Sequence, residues 1–260
     1  LENDRQKKWL SSEVVFEDYF SRQGQAYVDA RPPYPVELFE FLSSLCAKRE
    51  VAWDCATGNG QVAVGLAHHF DKVIATDISQ SRIAYAIPGK NIEYRIEPAE
   101  NSSIPSRTVD LITVGQAAHW LNLHGFYLEA RRVAREGALI ALFGFRELKV
   151  TPLIDRLTNR YLHEVVDGYW TAGKELYDSR YAFLYFPFDE LKAPYFKIKV
   201  SWTLDQLLRL LDSYSGPQRY LEVHGKPPSL ELLEEFKKAW GGEGLTREVI
   251  IPLLLRVGRI

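Results

Sequence analysis

Apolar positions change their spacing along the chain, and each change marks a different kind of element. Leu38, Phe41, Leu42 and Leu45 fall at i, i+3, i+4 and i+7, which predicts a helix with one apolar face. Just before it, Arg31-Pro32-Pro33-Tyr34-Pro35 must run extended, because proline disfavours helix in the residue that precedes it. The rest of the first fifty residues read as helical. From Val51 onward, short apolar runs at 51–53, 73–76, 92–96, 109–114 and 138–143 alternate with helical stretches such as 61–70 and 123–134. Each run is bounded by turn residues. That alternation predicts a parallel sheet with helices on both faces.

After Gly144 the rhythm differs. Residues 146–193 read as helical and then rich in aromatics, including Tyr169, Trp170, Tyr177, Tyr181, Phe183, Tyr185, Phe186 and Phe188. Residues 196–202 predict a strand, and Leu204, Leu207, Leu208 and Leu211 predict a helix stripe, as do Leu233, Phe236 and Trp240. Residues 249–257 predict a closing strand interrupted at Pro252, a residue better suited to an edge or bulge than to a central strand.

The 260 residues carry 32 basic and 34 acidic side chains, a net charge of −2, so nothing draws the chain toward phosphate backbones and nucleic acid is not an expected partner. No apolar run approaches the roughly 18 residues that span a bilayer. Residues 1–5 lack the layout of a signal peptide, and the expected setting is the cytoplasm. Cys46 and Cys55 show no metal-ligand spacing and read as buried thiols, and His68-His69 lacks a carboxylate partner; no metal is expected.

The most informative segment is Asp54-Cys55-Ala56-Thr57-Gly58-Asn59-Gly60-Gln61, between an apolar strand and a helix. Gly58 and Gly60 permit a sharp turn and close backbone approach to a ligand, and the helix opening at Gln61 aims its N–H groups at the same place. The crevice at the carboxyl ends of parallel strands is the usual ligand site of open α/β sheets. Asp77 ends the second strand, where a carboxylate accepts hydrogen bonds from ribose hydroxyls. A dinucleotide loop would read G-x-G-x-x-G, and a phosphate-binding Walker loop would need G-K-[ST]; neither is present. An acidic Asp54 is a poor neighbour for pyrophosphate and a better one for a cationic amino-acid moiety. S-adenosylmethionine, with ammonium and sulfonium charges, is such a ligand.

These residues resemble a class I S-adenosylmethionine-dependent methyltransferase. Asp54-x-Ala56-x-Gly58-x-Gly60 is similar to the first motif, Ile74-Ala75-Thr76-Asp77-Ile78-Ser79 to the second, Pro98-Ala99-Glu100 to the third and Val109-Asp110-Leu111-Ile112-Thr113 to the fourth strand. Gln116-Ala117-Ala118-His119-Trp120 resembles the A-x-H-W segment of the trans-aconitate and juvenile-hormone-acid methyltransferase relatives, in the methyltransferase type 11, trans-aconitate methyltransferase-like group. Tyr27-x3-Arg31-Pro32-x-Tyr34-Pro35 is similar to the N-terminal signature of that group. Two departures stand out: Ala56 replaces a usual glycine, where its small methyl fits, and a proline-rich stretch of the relatives is missing around Tyr169-Trp170-Thr171-Ala172.

The resemblance implies an α/β fold: a Rossmann-like seven-stranded mixed sheet, last strand antiparallel, flanked by helices and carrying a helical lid insertion. Residues 1–50 would cap the cofactor site, 51–145 would form the cofactor-binding core, 146–193 and 203–247 the lid, and 194–202 and 248–260 the closing strands. Asp54 and the Gly58–Gly60 loop would line the methionine part of S-adenosylmethionine, and Thr57 and Gln116 would also bind the cofactor. Asp77 would bind the ribose, Ile78 would pack on the adenine, and Ala99 and Glu100 would meet its edge. Tyr27 and Arg31 would close over the methionine carboxylate, which suits a guanidinium fork.

Methyl transfer is an in-line displacement helped chiefly by alignment in a dry pocket. A carboxylate acceptor needs no base, whereas an alcohol must lose a proton. His119 and Trp120 follow the fourth strand, where the acceptor should sit. Trp120 can donate its indole N–H to a carboxylate oxygen, and His119 is a base, a donor to substrate, a pocket wall or a packed loop residue. The expectation is O-methylation of a small carboxylic acid by a monomer or homodimer. The alternatives are a hydroxyl- or C-methyltransferase with His119 as base, or a non-catalytic cofactor-binding regulator. The aromatic run reads as pocket wall or core, and Arg131, Arg132 and Arg135 as a solvated helix face.

Overall fold

A computed structural model describes residues 31–145, 147–170, 181, 184–242 and 244–260. The proline strap leads into α1 (Val36–Ser44), which buries Leu38, Phe39 and Leu42. The alternating segment then forms β1 (Val51–Cys55), α2 (Gln61–Ala67), β2 (Lys72–Asp77), α3 (Gln80–Ala84), β3 (Ile92–Ile96), β4 (Val109–Gly115), α4 (Leu123–Val133) and β5 (Ala134–Phe145). Helix α5 (Pro152–Arg160) follows, then β6 (Asp189–Leu191), β7 (Lys197–Trp202), α6 (Leu204–Asp212), α7 (Ser215–His224), α8 (Leu233–Trp240) and β8 (Arg247–Arg259).

The strands lie side by side in the order β3-β2-β1-β4-β5-β8, and β6 and β7 share the outermost place along β8. Strands β1 to β5 are parallel and β8 is antiparallel to β5. The mixed seven-column sheet is therefore the expected one, with its last column split into two end-to-end pieces. The order turns outward from β1 in both directions, so a crevice opens at the carboxyl ends of β1 and β4.

Pro252 lies inside β8 without interrupting it, contrary to the expectation of an edge or a break. The N–H of Ile250 donates to Lys149, so the nitrogen two residues on points to the same side. There β5 pairing begins only at Leu253, and the missing donor of Pro252 falls in the gap between that ladder and the Lys149 bridge.

Two apolar layers cover the sheet. One joins α1, α2 and the later helices through Leu38, Leu66, Leu207, Phe236 and Trp240. The other packs α4 through Phe126 and Val133 against Trp53 and Ile112. The arginines of α4 and its exit do more than face solvent. Arg132 pairs with the buried Glu129 at 2.6 Å, and Arg135 pairs with the buried Asp110 at 2.9 Å while Asp110 accepts the N–H of Val51. A charged partner for each buried carboxylate explains why this face is not simply solvated.

The later helices are held by Asp212, which accepts hydrogen bonds from Tyr161 at 2.7 Å and Ser229 at 2.6 Å. A capping box between Thr203 and Gln206 starts α6. The aromatic run splits: Phe186 and Phe188 pack beside α4 and β8, whereas Trp170 and Tyr181 reach the crevice. Tyr177, Phe183, Thr171 and Ala172 lie outside the described residues, as do residues 1–30.

Candidate active site

The loop after β1 carries three left-handed residues in five positions, Ala56 (φ 54°), Gly58 (φ 59°) and Gly60 (φ 85°). Glycine is usual at the first of these because of its backbone angle; an L-residue there costs roughly 1–2 kcal/mol. At Gly60 a Cβ would also come within 2.1 Å of the Tyr94 hydroxyl, so that position excludes any side chain.

Two carboxylates fix this loop from beneath. Asp77 accepts the N–H of Gly58 at 2.8 Å and that of Ser79 at 2.9 Å, joining the end of β2 to the glycine turn. The Arg82 guanidinium lies 3.9 Å from the same carboxylate. Asp54 accepts hydrogen bonds from the hydroxyls of Thr57 and, at 2.9 Å, Thr113. Burial pushes the Asp54 pKa up to about 7, against the opposing pull of those hydroxyls.

Above the loop lies a cavity. Its floor is Ala56, Thr57, Gly58 and Asn59, with Gln61 and Arg82 alongside. The Asn59 side-chain nitrogen is buried with no hydrogen-bond partner, an unsatisfied donor in the floor. Tyr34 from the proline strap, Phe145 from β5, Trp170, and Tyr214 just before α7 also line the cavity. Arg31, Gln116, His119 and Trp120 complete the lining.

Gln116, at φ 55°, donates its N–H to Phe143 and accepts that of Phe145 on its side chain at 2.9 Å, tying the end of β4 to β5. The next turn, Ala118–Trp120, brings His119 and Trp120 to the cavity with ring centroids 5.1 Å apart. His119 Nδ1 lies 3.0 Å from the hydroxyl of the buried Tyr181. Burial, reinforced by the Arg31 guanidinium, pushes the His119 pKa down to about 3, so the ring is neutral at neutral pH. Burial likewise raises the Tyr181 pKa, so that phenol keeps its proton.

The methyltransferase domain family matches residues 53–142, the stretch that holds the loop, Asp77 and His119. A Dictyostelium discoideum protein named as a methyltransferase is 33% identical over 235 residues, covering 89% of each chain. The chain belongs to the S-adenosylmethionine-dependent methyltransferases. A solved structure from Anaeromyxobacter dehalogenans, described as a type II methyltransferase, superposes on this methyltransferase with a TM-score of 0.81 at 34% identity, covering 88% of this chain and 97% of that one. A Saccharomyces cerevisiae protein named as an S-adenosylmethionine-dependent methyltransferase is 25% identical over 163 residues, 59% of this chain and 55% of its own. S-adenosylmethionine is thus the methyl donor, and the open donor of Asn59 beside the glycine turn is the kind of polar cradle that such a ligand fills.

The methyltransferase brings together, around one cavity, six of the residues expected from its sequence: Arg31, Thr57, Gly58, Gln116, His119 and Trp120. Asp54, Gly60 and Asp77 are buried beneath or beside the loop and act on its shape. Ile78 is 48% exposed next to Asp77 and does not border the cavity. Ala99 is buried, and Glu100 accepts the N–H of Asn122 at 3.2 Å; neither borders the cavity. Tyr27 lies outside the described residues. Sequence reasoning passed over Asn59, Arg82, Phe145 and Tyr214. Asn59 sits within the quoted motif and Arg82 three residues after the Ser79 cap, but Phe145 and Tyr214 carry no local signal.

No helix among the described residues is long and apolar enough to cross a membrane, and no cluster of potential metal ligands occurs among them.

Proposed function

We propose that this methyltransferase transfers a methyl group to the carboxylate of a small organic acid. The observation that carries the reading is the pairing of His119 and Trp120 at the cavity, with His119 Nδ1 3.0 Å from the Tyr181 hydroxyl. A ring with its pKa pushed down to about 3 is too weak a base to take the proton of an alcohol at neutral pH. Tyr181 has a buried hydroxyl whose partner is Nδ1 of that ring; donating its proton there leaves the imidazole proton on Nε2. His119 is then a neutral N–H donor and Trp120 a second one, a pair suited to an oxygen that is already ionised.

When bound, S-adenosylmethionine supplies an electrophilic methyl carbon on a sulfonium whose electron pair departs with the sulfur. The residues of the chain do the rest. The Ala56–Gly60 turn and Asn59 hold the methionine portion, Arg31 and Gln116 its carboxylate end, and Asp77 with Ile78 the nucleoside. Ala99 and Glu100 stand on the adenine side. His119 and Trp120 hold the acceptor carboxylate so that one oxygen faces the methyl carbon opposite the sulfur, and the surrounding rings exclude water. The product is a methyl ester and no proton is moved.

The test is transfer of a labelled methyl group from S-adenosylmethionine into a metabolite extract, followed by mild alkali. Label released as methanol is the expected result. Label that survives alkali means transfer to a hydroxyl, nitrogen or carbon, and restores His119 as the base to examine.

A further inference from the structure

We infer that the acceptor is an acid with a single carboxylate on an apolar, ring-sized body, not a di- or tricarboxylic acid; this rests on the carboxyl-methylation reading above. Two independent features of the cavity carry it, the count of charges and the nature of the walls.

The charged side chains in and directly under the cavity are Arg31 and Arg82, Asp54 and Asp77. Arg82 lies beside Asp77 at 3.9 Å. The methyl donor brings one carboxylate, one ammonium and one sulfonium, a net charge of +1. An acceptor carboxylate offsets that surplus. Beyond Arg31 and Arg82 the described lining residues hold no cation for a second or third, and each unpaired buried carboxylate costs several kcal/mol. Among the described residues the charges thus favour one carboxylate next to the sulfonium.

The rest of the acceptor would meet rings. Tyr34, Trp120, Phe145, Trp170 and Tyr214 border the cavity. Three of them are fixed in place by other parts of the fold. The Tyr34 ring meets Phe143 edge-on at 5.1 Å and Phe145 at 5.5 Å. The Trp170 indole donates to the Leu162 carbonyl at 3.0 Å and lies so close over α7 that a Cβ on Gly216 would come within 2.8 Å of it. Tyr214 packs its ring under the Arg31 guanidinium, 5.7 Å from the centroid. Walls held in this way do not need ordering when the acceptor enters, so the apolar body is recognised at little entropic cost. Polyacids of similar size have no apolar surface to offer those rings.

The experiment compares cinnamate and octanoate with succinate and tricarballylate as methyl acceptors, and follows the thermal shift of the protein loaded with S-adenosylhomocysteine on adding each acid. The expected result is ester formation from the two monocarboxylates with kcat/KM at least about tenfold above the polyacids. Trp170→Ala should raise KM for cinnamate about tenfold with the affinity for S-adenosylmethionine unchanged. Gly216→Ala, which presses the indole toward the cavity, should raise KM for cinnamate more than for octanoate, and guards against loss of folding in the first variant. Esters formed equally well or better from the polyacids overturn this inference and leave carboxyl methylation standing. An alkali-stable product from cinnamyl alcohol, with no ester from any acid, overturns both. Failure of cinnamate and octanoate to shift the loaded protein overturns it as well.

Discussion

The floor of the cavity and the wall facing it differ in where their atoms come from. The floor is main chain: a turn with three left-handed residues, locked by Asp77 to two backbone N–H groups and underpinned by Asp54. All of it lies within residues 54–79. The facing wall is side chain: Tyr34, His119, Trp120, Phe145, Trp170 and Tyr214, gathered from points spread over 180 residues. A donor common to a whole family is held by geometry that tolerates little change, whereas an acceptor peculiar to one enzyme is met by rings that substitution can reshape. The division predicts that perturbing the floor alters folding and donor affinity, and perturbing the wall alters acceptor use alone.

The largest effect should come from Asp54, through pH. Its pKa rises from the ordinary 3.8 to about 7 on folding. Between those values the folded chain holds a proton that the unfolded chain has lost, so folding takes up a proton and stability falls as pH rises from about 4 toward 7, at up to about 1.4 kcal/mol per pH unit. Below that window the contribution is fully present; above it the slope is gone. Asp54→Asn, which mimics the protonated acid, should flatten this part of the profile in denaturant titrations run at successive pH values. An unchanged slope would remove Asp54 from its role under the floor.

Next comes Asp77→Ala, which strands the Gly58 and Ser79 N–H groups. Affinity for S-adenosylmethionine, measured by calorimetry, should fall about 100-fold as the turn loses the two hydrogen bonds that hold its shape. Arg31→Ala should fall short of that, at about tenfold. The reverse order would mean that side chains, rather than the main-chain turn, dominate donor binding.

On the wall, His119→Ala should lower turnover about tenfold, the loss of one neutral hydrogen bond in the transition state, while His119→Asn, which keeps an N–H donor, recovers part of it. Because the ring is neutral at neutral pH, any ionisation of kcat/KM near neutrality belongs to Asp54 and should persist in His119→Asn. A titration that disappears in His119→Asn would point to a base and favour an alcohol acceptor.

The same division accounts for what could be read from the chain alone. Strand ends, the glycine turn and Asp77 are local patterns, and their spacing announces them. Asp54 was legible as a residue but not as a buried one, because its two threonine partners include Thr113, which a parallel neighbour strand supplies. Phe145 and Tyr214 were illegible because nothing near them in sequence distinguishes a ring facing a cavity from a ring facing the core. Pro252 looked like a break because sequence gives no sign of the gap between Lys149 and the β5 ladder that receives its missing donor.

The smallest effect is the most specific. Ala56 is left-handed at φ 54° and borders the cavity. Replacing it by glycine relieves the Cβ clash of that conformation, worth roughly 1–2 kcal/mol, and gives back part of the gain through the larger entropy of the unfolded chain, about 0.5–1 kcal/mol. Ala56→Gly should therefore stabilise the protein by about 0.5–1 kcal/mol and raise its melting temperature by about 2–3 °C. Donor affinity should change less than twofold, since the turn already has the required shape. The opposite replacement on the facing wall, Phe145→Leu, should leave donor affinity alone too but alter acceptor preference. If Ala56→Gly instead weakens donor binding while the melting temperature rises, the strained alanine is stiffening the turn for its ligand, and the floor owes its precision to side-chain bulk as well as to main-chain geometry.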